Sequence, residues 1–326
     1  MQRRIFLKHA ALTAASGAVA STRTTMDPKA GPLPACQSVQ REPQALRIVD
    51  THVHLWDLNR FRLPWLEKNS PLARSHLIND YQTAIKGLNV VKSVYMEVDV
   101  DPKQLVAEAE YVLDICRQAN TPLAAAVIGG RPADNDFQKY IQRFRGNRFL
   151  IGVRQVLHSA SAKAGFCVTP AFVRGVQQLG EAGLSFDLCM RHGEIGDAVK
   201  LVEACKNTRF ILDHCGNGPV YAKDRTQWQR DMERLARLSN VVCKVSGIVV
   251  QARERWTAAE LAPVINHTLA AFGPDRVMFA GDWPVCTLRA TYRQWVEALR
   301  SIVRDRSAAD NRKLFHDNAV RFYGLN

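Results

Sequence analysis

No run of about 18 apolar residues occurs in this 326-residue chain, so no segment reads as a membrane-spanning helix and no stable membrane insertion is expected. None of its eight cysteines (Cys36, Cys116, Cys167, Cys189, Cys205, Cys215, Cys243 and Cys286) lies in a CxxC pair. That excludes the usual zinc-ribbon and dithiol spacings, and in a chain of this length the thiols read as buried and reduced. Basic residues outnumber acidic ones, 44 against 31, giving a net charge of +13. They are scattered, however, and no helix-turn-helix, zinc-finger or RNA-recognition pattern accompanies them, so a nucleic-acid partner is not expected. A few of those arginines suit an anionic small molecule better. Hydrophobic residues make up 47% and charged residues 23%, close to globular averages, which argues against a disordered or fibrous chain.

The first 45 residues read as an address followed by a linker. Arg3-Arg4-Ile5-Phe6-Leu7-Lys8 resembles a twin-arginine export signal, with Gln2 where Ser or Thr is frequent. A mildly apolar stretch from Ala10 to Ala20 follows, and Ala18-Val19-Ala20 has the small-x-small form of a cleavage site. Residues 1–20 are therefore expected to be a signal peptide that engages the twin-arginine machinery and delivers a folded protein to the periplasm. Residues 21–45, with Pro28, Gly31, Pro32, Pro34 and Pro43 and no periodicity, read as a Pro-rich linker.

From residue 46 to 326 two textures alternate. Apolar, β-branched runs fall at Arg47–Leu55, Lys92–Val100, Leu123–Gly129, Phe149–Leu157, Leu184–Met190, Phe210–Asp213, Val241–Ile248 and Val277–Ala280. Helical spacing is clearest at Leu105–Ala119, Phe172–Ala182, Ile195–Cys205, Trp228–Leu238 and Leu261–Phe272. Strands apolar on both faces and separated by helices imply a parallel sheet. Eight such units predict an α/β fold of the closed (β/α)8 TIM-barrel type. An open doubly wound sheet would carry a Gly-rich phosphate loop after its first strand, where this chain has His52 and His54.

Polar residues cluster after nearly every apolar run, and in a barrel those strand ends converge on the face that holds active sites. His52 and His54, two apart on a strand, share a face and suit one metal ion. Asp282, after the last run, either accepts a proton from water or completes a metal site. Arg154, Arg191 and Lys244, from three strand ends, would favour a carboxylate-bearing substrate, and each also suits a structural ion pair.

At these positions the chain resembles a known family. Asp50-Thr51-His52-Val53-His54-Leu55-Trp56-Asp57, Arg60-Phe61-Arg62-Leu63-Pro64-Trp65-Leu66, Gly152-Val153-Arg154-Gln155-Val156-Leu157, Leu212-Asp213-His214-Cys215-Gly216-Asn217, Lys244-Val245-Ser246-Gly247 and Phe279-Ala280-Gly281-Asp282-Trp283-Pro284 resemble, in order, the amidohydrolase-related (amidohydrolase 2) family. The branch is that of sugar-lactone and pyrone-dicarboxylate lactonases, including L-fuconolactonase-like proteins. The resemblance implies a TIM barrel of the metallo-dependent hydrolase type that cleaves the ester bond of a lactone. It implies that His52, His54 and His214, with Asp282, bind one divalent metal, zinc by preference, or that the histidines polarise the carbonyl without one. Asp282 would activate water with His214 beside it. Arg154, Arg191, His192 and Lys244 would hold an anionic or sugar-derived substrate, and Trp65 and Trp283 would wall the pocket. Two departures stand out. Arg154 and Gln155 occupy the stretch where many amidohydrolases carry a bridging carboxylated lysine, which argues against a two-metal site. His192 and Glu194 replace the Pro and the later His that follow the fifth-strand arginine in some lactonase relatives.

Other functions fit parts of this pattern. Decarboxylases of the same family also use paired histidines, a later His and an Asp, although the Leu63-Pro64-Trp65 segment favours the lactonases. A non-catalytic barrel would have no need of the intact His52, His54, His214 and Asp282 set.

Overall fold

The computed structural model describes residues 46–159 and 162–325. The expected signal peptide, the linker and Cys36 lie outside them. Eight strands, β1 (Ile48–Val53), β2 (Val90–Met96), β3 (Leu123–Gly129), β4 (Leu150–Val156), β5 (Ser185–Cys189), β6 (Arg209–Leu212), β7 (Val241–Val245) and β8 (Val277–Phe279), pair in sequence order. Every pairing is parallel. The last strand returns to the first: Val53 bridges Trp283, Asp282 N donates to His52 O at 2.8 Å, and His54 N donates to Trp283 O at 2.7 Å. This is the expected TIM barrel.

Between and after the strands run α1 (Ile78–Ala84), α2 (Leu105–Arg117), α3 (Phe137–Gln142), α4 (Pro170–Glu181), α5 (Ile195–Ala204), α6 (Thr226–Ala236), α7 (Ala258–Phe272) and α8 (Tyr292–Ile302). Two further helices, α9 (Ala308–Arg312) and α10 (Asn318–Tyr323), end the described chain. The five helices expected from periodicity match α2, α4, α5, α6 and α7 within three residues at each end. The β2 run was expected to continue to Val100, but the strand stops at Met96 because Asp99 turns the backbone into the left-handed region (φ 48°). Val98 and Val100 remain buried beyond it, in the loop. The β7 run stops at Val245 for a similar reason, at Gly247 (φ 66°).

The barrel interior is graded. Its lower part is apolar: Val49, Val94, Ala125, Ile211, Val242 and Met278 pack with Ala319, Tyr323 and Leu325 from the C-terminal segment. Higher up, the interior turns ionic, at Asp187 of β5, Lys244 of β7 and Asp213 just past β6, all buried. A second apolar layer, between sheet and helices, contains Phe172, Phe186, Phe210, Trp295 and Phe315. The charged groups therefore sit inside a closed wall, reachable from the carboxyl ends of the strands.

Candidate active site

A local irregularity in β1 aims its histidines. The register with β2 shifts between Asp50 and Val53. Asp50 faces outward, where its carboxylate accepts from Tyr81 Oη of α1 (2.8 Å) and Tyr292 Oη of α8 (2.9 Å), and also from Gly281 N at 2.7 Å. His52 and His54 face the interior, where their Nε2 atoms lie 3.1 Å apart. His54 is fixed from behind by the Met96 carbonyl, 2.9 Å from its Nδ1.

The β6 and β8 ends supply the other two residues through strained turns. His214, Cys215 and Asn217 all adopt positive φ, as does Asp282 at 55°. Such values are uncommon outside glycine and mark local strain. His214 packs its ring 4.6 Å from that of His52, with Nδ1 2.9 Å from Ser246 Oγ. The fit requires glycine at 247: a Cβ there would lie 2.5 Å from the His214 ring.

Asp282 Oδ1 stands 3.5 Å from His54 Nε2 and 3.7 Å from His52 Nε2. Zinc bonds of 2.0–2.1 Å in a tetrahedron imply ligand atoms about 3.4 Å apart. The three separations among His52, His54 and Asp282 bracket that value. His52, His214 and Asp282 also offer donor atoms within 4.8 Å of one another. This buried cluster of nitrogen and oxygen donors fits a divalent cation.

Burial lowers the pKa of His52 well below its ordinary value, Lys244 adding to the effect against Asp213, and burial also lowers that of His214. Both rings are thus neutral near pH 7, the state that can bind a metal or accept a proton.

Beneath the histidines lies a network of buried ions. Arg154 donates through Nε to Glu97 Oε1 at 2.7 Å, and its Nη1 is 3.4 Å from Asp213 Oδ2. Lys244 Nζ contacts Asp187 Oδ2 at 2.5 Å and Asp213 Oδ1 at 3.1 Å. Asp213 Oδ1 is also 3.4 Å from His52 Nδ1. Burial alone would raise Asp213, but Lys244 and His52 outweigh it and hold the carboxyl well below its usual range. Burial likewise disfavours the Lys244 ammonium, yet Asp187 and Asp213 raise its pKa above the ordinary lysine value.

The remaining residues expected at the site are spread around the mouth. Arg191 is partly exposed and donates to the carbonyls of Leu157, Ser159 and Ala162 and to Glu194 Oε1. His192 is exposed on the short turn His192–Glu194. Trp65 is 41% exposed, edge-on to Trp56, and its Nε1 donates to Val98 O at 2.7 Å. Trp283 is buried against His76 and Tyr81. Arg154 and Lys244 are buried in ion pairs, so neither they nor Arg191 presents a cation free of protein partners.

Glu97, Asp187 and Asp213 have no role legible from sequence pattern alone. The available signal was a carboxylate inside or just after an apolar strand, as in Phe186-Asp187-Leu188, which a closed barrel can bury only beside a cation.

The family model described as Amidohydrolase matches residues 49–325. An L-fucono-1,5-lactonase of Burkholderia multivorans is 29% identical over 295 residues, covering 86% of this chain and 97% of that protein. An L-rhamnono-gamma-lactonase of Scheffersomyces stipitis is 23% identical over 334 residues, covering 86% and 99%. Among solved structures, an amidohydrolase from Burkholderia multivorans with bound zinc superposes with a TM-score of 0.77 at 26% identity, over 86% of this chain and all of that one. The matched span takes in every strand except the first residue of β1, and with it the paired histidines, His214 and Asp282: the chain belongs to the amidohydrolase 2 family.

Proposed function

We propose that this protein is a hydrolase that opens an uncharged sugar lactone by attack of a water activated by Asp282. One observation carries the reading. Among the described residues, the carboxylates buried beneath the histidines are each paired with Arg154 or Lys244, whereas Asp282 has only histidine neighbours within ion-pair distance. It can therefore accept a proton without breaking an ion pair.

Asp282 takes the proton of the attacking water and holds it for the ring oxygen that leaves. His214, neutral and bonded through Nδ1 to Ser246, has one other nitrogen to offer, either to the reacting group or to a bound cation. His52, His54, His214 and Asp282 would hold one divalent cation, zinc by preference, which when bound supplies charge stabilisation at the carbonyl oxygen. Arg154 and Lys244 are buried in ion pairs that a substrate carboxylate would have to break, and Arg191 is already shared by three carbonyls and Glu194. This supports a hydroxylated, uncharged lactone over a dicarboxylate ring, in keeping with the sugar lactonases among the relatives. Trp65, partly exposed, would border the same mouth, whereas Trp283 is buried against His76 and Tyr81. The export reading of Arg3 and Arg4 belongs to this proposal and places the activity in the periplasm; normal export of an Arg3→Lys, Arg4→Lys variant would remove it.

A panel of uncharged aldonolactones and carboxylate-bearing lactones, followed by acid release, tests the function. Faster turnover of the uncharged set is expected. Release of carbon dioxide from aromatic acids would make the protein a decarboxylase, and inertness to both classes would end the catalytic reading. Elemental analysis should give about one equivalent of metal for this donor set; two at one bridged centre would contradict it.

A further inference from the structure

His54 sets the boundary condition for its neighbour. Its Nδ1 faces the Met96 carbonyl oxygen, which only accepts, so Nδ1 carries the hydrogen, and in the neutral ring Nε2 is then left with a lone pair. That lone pair lies 3.1 Å from His52 Nε2. A second bare nitrogen at this distance is repelled unless something positive lies between the two. With both rings neutral there are two remedies: a hydrogen on His52 Nε2, or a cation shared by two lone pairs.

The remedies make opposite demands on the far side of the His52 ring. With hydrogen on Nε2, Nδ1 must accept; with Nε2 bare, Nδ1 carries the hydrogen and must donate. Both partners are present. Lys244 Nζ, which only donates, is 3.5 Å from His52 Nδ1. Asp213 Oδ1, which accepts, is 3.4 Å from it. The two are bound to each other at 3.1 Å, and all three residues are buried. Arg154 Nη1, a donor 3.3 Å from His52 Nε2, also favours the bare form, so a cation need not supply the whole preference.

We propose that His52 is a tautomer-switching ligand: with a divalent cation between the two Nε2 atoms its hydrogen sits on Nδ1 and is given to Asp213, and without one it sits on Nε2 while Nδ1 accepts from Lys244. Asp213 and Lys244 are positioning residues that support either form without moving a net charge. The ring stays neutral throughout, and cation binding releases no proton from it. This inference rests on the reading of the cluster as a cation site.

The test uses the purified chain, labelled with 15N-histidine and stripped with chelator, before and after zinc. Long-range 1H–15N spectra, with His52 assigned by its loss in His52→Asn, should show the protonated and bare nitrogens of His52 exchanging places while those of His54 stay fixed. Zinc affinity measured by chelator competition should fall about 10–100-fold in Asp213→Asn, the range for loss of a partner behind a metal-binding histidine. Should that variant fail to fold, the spectra of the unsubstituted chain decide alone. An unchanged His52 tautomer, a folded Asp213→Asn with full affinity, or failure of zinc to bind would each overturn the proposal. None of these readouts uses turnover. Lactone hydrolysis with an unswitched His52 would therefore sink this inference and spare the function, and a switching His52 in a protein inert to lactones would do the reverse.

Discussion

The floor of the barrel cup and its rim are built from similar groups held in different ways. On the floor, Arg154, Glu97, Asp213, Lys244 and Asp187 are buried, and each charge has an opposite one within 3.4 Å. On the rim, His54, His214 and Asp282 are also nearly covered, but their neighbours are one another, a carbonyl, a serine and the ring of His52. Ions removed from water need fixed partners, and an ion whose charge is already paired is a poor acid or base. In the reaction we propose, the floor supports and the rim reacts, with His52 touching both.

The sharpest way to break that division is Asp282→Asn. The amide keeps the size but cannot take a proton, so lactone turnover should fall about 10²–10⁴-fold with little change in thermal unfolding. A folded, destabilised and fully active variant would make Asp282 a structural residue. The floor should respond in the opposite manner. Lys244→Met leaves Asp187 and Asp213 without their shared cation and should cost about 3–5 kcal/mol in denaturant unfolding, the range for breaking a buried pair on one side. Loss of activity with unchanged stability would place Lys244 among the reacting groups.

Gly247→Ala tests how the rim is aimed. The new methyl meets the His214 ring at a positive φ. A cost of about 1–3 kcal/mol is expected from the backbone strain, with turnover falling further than stability alone explains because His214 is displaced. Wild-type turnover in the folded variant would show that His214 has no fixed place in the reaction.

Glu108 sharpens the comparison from outside the cup, as a buried carboxyl without a cation partner. It accepts from Tyr95 Oη and Val98 N, and its Oε2 has no hydrogen-bond partner. Burial, reinforced by Glu97, raises its pKa from 4.5 to about 8. A raised acid binds its proton more tightly in the folded chain, so its contribution to stability is fully present below 4.5 and is lost as pH rises towards about 8. The slope is at most about 1.4 kcal/mol per pH unit for one proton. Glu108→Gln should flatten the stability profile across that window while leaving acid-side stability nearly unchanged. An unaltered profile would mean that Glu108 is ionised despite its burial.

Much of this was legible before the fold was known. Eight apolar runs separated by helical ones dictate a parallel barrel, because strands buried on both faces need helices to cover them. The strand ends then place His52, His54, His214 and Asp282 on one face. The short α1 and α3 were not legible, since six or seven residues carry too little periodicity to separate from loop. Strict alternation would also put Asp50 on the face of His52 and His54, and only the shifted register of β1 turns it outward to Tyr81 and Tyr292.

The sequence by itself determined which groups gather at the mouth, because strand periodicity is a local property and eight strand ends in a closed barrel have one place to meet. Only the tertiary structure decided what each charge does there. Arg154, Lys244 and Arg191 read alike as residue types, but a cation's availability depends on the partners brought beside it from distant strands. Glu97 and Asp213 neutralise Arg154 from just past the ends of β2 and β6, and Asp187 of β5 joins Asp213 in neutralising Lys244. Asp282, for which the barrel provides no such cation among the described residues, keeps its carboxylate for the reaction we propose.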